Sequence, residues 1–326
     1  MPETPTAAAD PAKRIPLPGQ ERYVSESDET GLGAVDAVSD ESAPSSMWGE
    51  AWKVLRRQPL FWAASLLIVG AVLLALFPNL FTGTDPRLCL LSDSLGAAAP
   101  DHPFGFDKQG CDIFARTVYG ARASVSVGVL TTILVVVVGS LVGAIAGYFG
   151  GWFDSLLSRV TDIFFAIPFM LAAIVVMSMF KSQRSILTVV LVLGVFGWPQ
   201  IARITRGAVM EVKNEEFVTA SIALGAGRWA TLARHILPNA AAPIIVTATV
   251  SLGSYIVAEA TMSFLGIGLP DGTVSWGADI STAKESFRDA PHILFYPAGA
   301  LALTVLGFIM MGDAVRDALD PKARKR

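Results

Sequence analysis

The sequence predicts an all-α, polytopic membrane protein with six helical spans, and three observations carry that prediction. Of 326 residues, 52% are hydrophobic and only 16% charged, at a mean hydropathy of +0.53, too apolar for a soluble domain with an ordinary charged surface. Six stretches are long and apolar enough to cross a hydrocarbon core of about 30 Å, which takes roughly 20 helical residues. Between the fourth and fifth stretches lies a polar-faced segment, 214–238, that cannot cross. The net charge of −3 says nothing about partners, because it sums an acidic N-terminal stretch with basic membrane-proximal loops.

Residues 1–46 are rich in Pro, Ala, Ser, Asp and Glu and carry no apolar run at helical or strand period, so they are expected to form a disordered cytoplasmic tail. No apolar h-region follows the start, and no signal peptide is expected. Residues 47–59 place Trp48, Trp52 and Leu55 on one side with Lys53, Arg56 and Arg57 nearby, the pattern of a short interfacial helix. The membrane-embedded body is expected over 60–318, followed by a basic cytoplasmic tail over 319–326.

The six spans are expected at about Leu60–Leu80, Val125–Phe149, Val160–Phe180, Ile186–Ile204, Ala241–Leu265 and Ile293–Met311. This leaves outward loops over 81–124 and 266–292. Of the 25 Lys and Arg residues, 17 fall on the side that holds both termini and segment 214–238, and 8 on the other. The positive-inside rule therefore puts both termini and that segment in the cytoplasm. Gly139, Gly143 and Gly147 form a ridge in the second span that lets a neighbouring helix approach closely. Pro168, Pro199 and Pro243 kink or start their spans; Pro168 and Pro199 are candidate gate residues. Glu259 is the deepest ionisable residue, either lining a pathway or hydrogen-bonded between helices. Asp162 and Asp313 fall near the cytoplasmic boundary, where solvated or ion-paired structural roles are expected.

Segment 214–238 reads as two short amphipathic helices. Phe217, Ala220, Ser221 and Leu224 form one apolar stripe and Trp229, Leu232, Ala233 and Ile236 a second. Asn214 is the expected N-cap, Glu215 and Glu216 occupy a first turn where the helix dipole favours acids, and Gly225 ends the first helix. Pro238 blocks continuation of the second. Arg228, Arg234 and His235 lie on the polar face. Thr219-Ala220-Ser221, then Gly225, then His235-Ile236-Leu237-Pro238 after nine residues, resemble the EAA loop of permease subunits in ATP-binding cassette (ABC) importers, written E-A-A-x3-G-x9-I-x-L-P. Thr219 stands where Glu is usual, Ser221 where Ala is usual, and His235 where Ile is usual.

Other stretches resemble the C-type subunits of dipeptide and oligopeptide permeases. His102-Pro103-Phe104-Gly105-Phe106-Asp107-Lys108-Gln109-Gly110-Cys111-Asp112, with Ala115-Arg116 and Tyr119-Gly120-Ala121-Arg122 downstream, is similar to H-P-F-G-T-D-x-x-G-R-D followed by S-R and Y-G-A-R. Phe106 and Cys111 depart from it. The run Glu259-Ala260-Thr261-Met262-Ser263-Phe264-Leu265-Gly266-Ile267-Gly268 and the C-terminal Gly312-Asp313 through Asp320-Pro321 have counterparts in the same subunits. The resemblance runs from about residue 48 onward. It implies a type I importer permease fold, with Glu216, Thr219, Ala220, Ser221, Gly225, Arg228, His235, Leu237 and Pro238 contacting an ATPase. It also implies that the outward loop holding Trp276 and Gly277 faces a binding protein.

Cys89 and Cys111, the only cysteines, share the first outward segment, where oxidation is permitted. The readings are two free thiols or a disulfide, and the shared segment favours the disulfide. His102 has no second His or acid at ligand spacing and reads as structural rather than metal-binding.

No phosphate loop, H-E-x-x-H or G-x-S-x-G occurs, so the chain is not expected to be an enzyme or to bind a cofactor itself. The resemblance implies ATP and Mg at a partner ATPase. The implied partners are a second related permease subunit, one or two cytoplasmic ATP-binding cassette subunits, an extracytoplasmic solute-binding protein and membrane lipid, with no nucleic acid. The implied location is a prokaryotic plasma membrane. ATPase closure would move the paired hairpins as rigid bodies. The implied substrate is a di- or oligopeptide; nickel complexes, glutathione and sugars remain open. A secondary transporter should show inverted repeats and mid-membrane charges, and no such repeat is evident. A membrane scaffold or membrane enzyme would leave the hairpin unexplained.

Overall fold

A computed structural model of the chain describes residues 47–319. The expected N-terminal tail over 1–46, and all but Leu319 of the basic tail over 319–326, lie outside the described residues. The described residues are helical, with turns, three isolated β-bridges and no extended strand.

Helix α1 (Met47–Leu55) keeps Trp48 and Trp52 about half exposed and buries Ala51 against Ala318 and Leu319. Helix α2 (Pro59–Leu76) starts with proline in its first turn, where the missing N–H costs nothing. It ends before the expected Leu80, because Pro78 cannot continue the hydrogen-bond ladder and opens a single 3-10 turn instead.

Helix α3 (Ile113–Phe149) is the longest element, 37 residues, and begins twelve residues before the expected Val125. The Asp112 carboxylate caps it by accepting from the Ala115 N–H at 3.0 Å. The loop expected over 81–124 therefore ends at Asp112. Arg116, Tyr119 and Arg122 look like loop residues in a hydropathy reading, yet they sit on a helix that continues past the apolar region.

The expected third span is broken into α4 (Gly151–Ala166) and α5 (Phe169–Met179), bent by 82° at Ile167–Pro168. Proline lacks the donor the ladder needs and holds Ile167 in an extended conformation. Helix α6 (Ile186–Val212), capped by the Ser185 hydroxyl, continues through Pro199 and eight residues past the expected Ile204.

Helices α3 and α6 are in backbone contact along the glycine ridge. A Cβ on Gly139 would lie 2.8 Å from the Trp198 carbonyl oxygen, one on Gly143 2.3 Å from that of Ala202, and one on Gly147 2.8 Å from that of Arg206. Only glycine permits that approach.

After the hairpin segment come α10 (Ala241–Phe264), with Pro243 in its first turn, α11 (Trp276–Ala283), and α12 (His292–Leu319). Helix α12 runs eight residues past the expected Met311, so the Gly312–Asp317 stretch is helical. Helices α2, α3, α6, α10 and α12 are each long and apolar enough to cross a membrane, and the bent α4–α5 pair meets the same measure when its two halves are taken together. Val127, Met177, Val189, Leu193 and Met262 fill one core and Ile256, Trp276 and Phe308 another.

Candidate functional site

The hairpin is built differently from its expected caps. Asn214 does not cap the first helix; its Nδ2 donates back to the Met210 carbonyl at 3.0 Å and closes α6. Helix α7 (Glu216–Ala223) has Glu215 at the N-cap position with no side-chain bond. Its C-terminus follows the expectation. Gly225 adopts φ +89°, its N–H donates to the Ile222 carbonyl at 2.9 Å, and the Ala226 N–H donates to that of Ser221 at 3.1 Å, a Schellman closure that favours glycine. The second half comprises α8 (Arg228–Thr231), a π-turn over Leu232–Ile236 and α9 (Leu237–Asn239). Pro238 thus does not block the helix. It lies within α9, and the wider turn before it absorbs the bond that proline cannot make.

The first expected stripe is also corrected. Phe217 is 44% exposed and Leu224 89%, with Ala220 exposed between them, whereas Val218 is buried. In the second stripe Leu232 and Ile236 are buried and Trp229 and Ala233 are exposed. Val218, Leu232 and Ile236 pack on Val209 of α6 and on Ala144 and Tyr148 of α3, and seat the hairpin on the ends of both helices. Trp229 lies 5.0 Å from the Phe149 ring. The residues left outside, Phe217, Ala220, Ser221, Leu224, Gly225 and His235, line one shallow cleft open to solvent. Glu216, Thr219, Arg228 and Pro238 are exposed nearby, and Leu237 is partly buried. Most residues singled out in the motif are therefore brought to one free surface.

Within the bundle, Pro168 and Pro199 line one cavity of about 580 Å³, together with Phe164, Gln200, Ser251 and Tyr255. Glu259 is not part of it. Its side chain is fully buried and accepts from the hydroxyls of Ser124 at 2.9 Å and Ser263 at 2.7 Å, so it joins helices rather than lining a route. Asp162 forms an exposed pair with Arg203 at 3.4 Å, and Asp313 is exposed on α12.

At the other end of the spans, Cys89 and Cys111 are disulfide-bonded and His102 pairs through Nδ1 with Asp112. No cluster of three or more potential metal-ligating side chains occurs among the described residues. Trp276 is wholly buried: its Nε1–H donates to the Thr117 carbonyl at 2.8 Å and its backbone N–H to Ser124 Oγ at 3.3 Å. It anchors α11 and presents no side-chain surface of its own. Arg116 pairs with Asp279, and burial pushes the Asp279 carboxyl up to about 6 despite the guanidinium beside it. Sequence reading missed this pair; its members are 163 residues apart and no local pattern links them.

A bundle of six apolar helical segments, carrying a solvent-facing EAA-type hairpin at one end and a disulfide-closed plate at the other, defines a membrane permease subunit of an ABC importer. The family described as "Binding-protein-dependent transport system inner membrane component" matches residues 139–325, and "N-terminal TM domain of oligopeptide transport permease C" matches residues 46–95. The chain belongs to the binding-protein-dependent transport system inner membrane component family. It is 37% identical over 293 residues to the oligopeptide transport system permease protein OppC of Bacillus subtilis (strain 168), covering 90% of this chain and 95% of that one. It is 38% identical over 278 residues to the glutathione transport system permease protein GsiD of Shigella flexneri serotype 5b (strain 8401), covering 85% and 91%. Against GsiD of Escherichia coli O6:K15:H31 (strain 536 / UPEC) it is 36% identical over 297 residues, covering 91% and 97%.

Proposed function

We infer that this permease carries short peptides inward, forming half of the pathway beside a second, related permease subunit. The observation that carries the coupling part is the hairpin: buried side chains fix it to α3 and α6 while its motif residues form an open cleft. A cytoplasmic ATP-binding cassette subunit occupies that cleft, binds the ATP and Mg, and performs the hydrolysis. Glu216, Thr219, Ala220, Ser221, Gly225, Arg228, His235, Leu237 and Pro238 make or shape the contact. Both termini and the hairpin are cytoplasmic, and a solute-binding protein delivers substrate to the opposite face. Pro168 and Pro199, on the cavity wall, are the gate positions.

The peptide assignment is supported by two relatives named for oligopeptides and for glutathione, itself a tripeptide. The test uses the complete complex in ATP-loaded vesicles. Labelled tripeptide should accumulate only when ATP is inside and the binding protein outside. Accumulation of a nickel complex or a sugar in place of every peptide tried would overturn the substrate assignment. Peptide uptake without ATP would overturn the mechanism.

A further inference from the structure

Tyr119 and Arg122 belong to the Tyr119-Gly120-Ala121-Arg122 stretch, which has no part in the hairpin or in the cavity at Pro168. Both face a separate cleft of about 530 Å³ at the outward end, walled by Gly83, Asp85 and Arg87, the second and third turns of α3, Ile186 and the loop at Thr273. That volume lies within the range of small-ligand pockets. Its charges are unevenly satisfied. Arg116, one turn before Tyr119 on α3, is neutralised by Asp279. Arg122 only donates from Nε to the Ala75 carbonyl, at 3.2 Å, and among the described residues neither it nor Arg87 is in an ion pair. Asp85, exposed on the same wall, accepts from the Arg87 backbone N–H at 2.9 Å and leaves the guanidinium free.

Two unpaired guanidinium groups and one carboxylate around a peptide-sized space complement a zwitterion. The geometry points to an outward site for a short peptide with free termini, its carboxylate held by Arg87 and Arg122 and its ammonium directed to Asp85. The guanidinium fork suits a carboxylate because it can donate two parallel bonds. The site rests on the peptide reading above and refines it: entry would select for a free C-terminal carboxylate.

The test is made on the complete purified complex in nanodiscs, using trialanine and trialanine amide as probes. Phenylglyoxal modification is followed by mass spectrometry at Arg87 and Arg122, with Arg57 as a distant control. Trialanine should slow modification at both cleft arginines, while the amide and the control site show little change. In vesicles, replacing both residues (Arg87→Gln with Arg122→Gln) should lower kcat/KM for trialanine by about tenfold, the loss of one charge-assisted pair, and reduce any preference over the amide. Equal modification with and without trialanine would overturn the site. So would protection by the peptide-free binding protein alone, which would make its acidic surface the occupant. Protection does not require transport, so this site and the import reading can fail separately.

Discussion

At the residue scale, Gly225 follows the end of α7 in the left-handed region, at a φ of +89°. A Cβ there would meet nothing within 4 Å, so a substitution clashes with nothing in this chain and costs only about 1 to 2 kcal/mol in backbone strain. Gly225→Asp should therefore insert at normal level yet lose ATPase co-purification or coupled uptake, whereas Glu215→Ala should be nearly silent. Wild-type uptake by Gly225→Asp would remove the coupling role. Asp279 left no local trace, because its partner arrives from another helix. Asp279→Leu alone should cost about 3 kcal/mol by stranding Arg116, and adding Arg116→Leu should recover part of that loss in thermal unfolding. The pH dependence has a definite sign. A carboxyl whose pKa rises from 3.8 to about 6 on folding binds more protons when folded, so its contribution to stability grows as pH falls through 6 and levels off below 4. The melting temperature of the wild type relative to Asp279→Asn should thus rise between pH 7 and 5.

At the element scale, hydropathy found the apolar segments and misjudged helix ends: α2 stops before its expected end, α3 starts before its expected start, and α6 and α12 run past their expected ends. Helices α3, α6 and α12 outrun their apolar segments, because a helix ends where its ladder is broken and not where lipid does. The broken third span had its cause in view at Pro168, but the 82° angle depends on what α5 packs against. The rule that proline ends a helix holds at Pro78 and fails at Pro238. The difference is that a π-turn can precede a proline inside a helix when the surrounding contacts hold it. The contact between α3 and α6 was legible as a glycine ridge, and it makes a firm prediction. Gly143→Leu places a side chain against the Ala202 backbone, which cannot move aside as a rotamer can, and should cost about 3 kcal/mol. Loss of monodisperse protein in detergent size-exclusion would check it, with the more open Gly207→Leu as control.

For the whole molecule, the basic asymmetry predicts that an impermeant thiol reagent applied from outside reaches a cysteine at Thr273 and misses one at Ser221. The reverse pattern would invert the topology. The six-segment bundle was plain from composition and periodicity, since lipid allows few alternatives. The plate of α11, Trp276 and the Arg116–Asp279 pair was not, because it is held by contacts between distant parts of the chain. One feature of α3 joins both faces. Its 37 residues at 1.5 Å each make a rod of about 55 Å, well beyond the bilayer core. Tyr148 touches the hairpin near one end and Arg122 faces the outward cleft near the other. Pivoted at one end, such a rod turns a tilt of about 10° into a sweep of about 10 Å at its tip, roughly the extended length of three residues of chain.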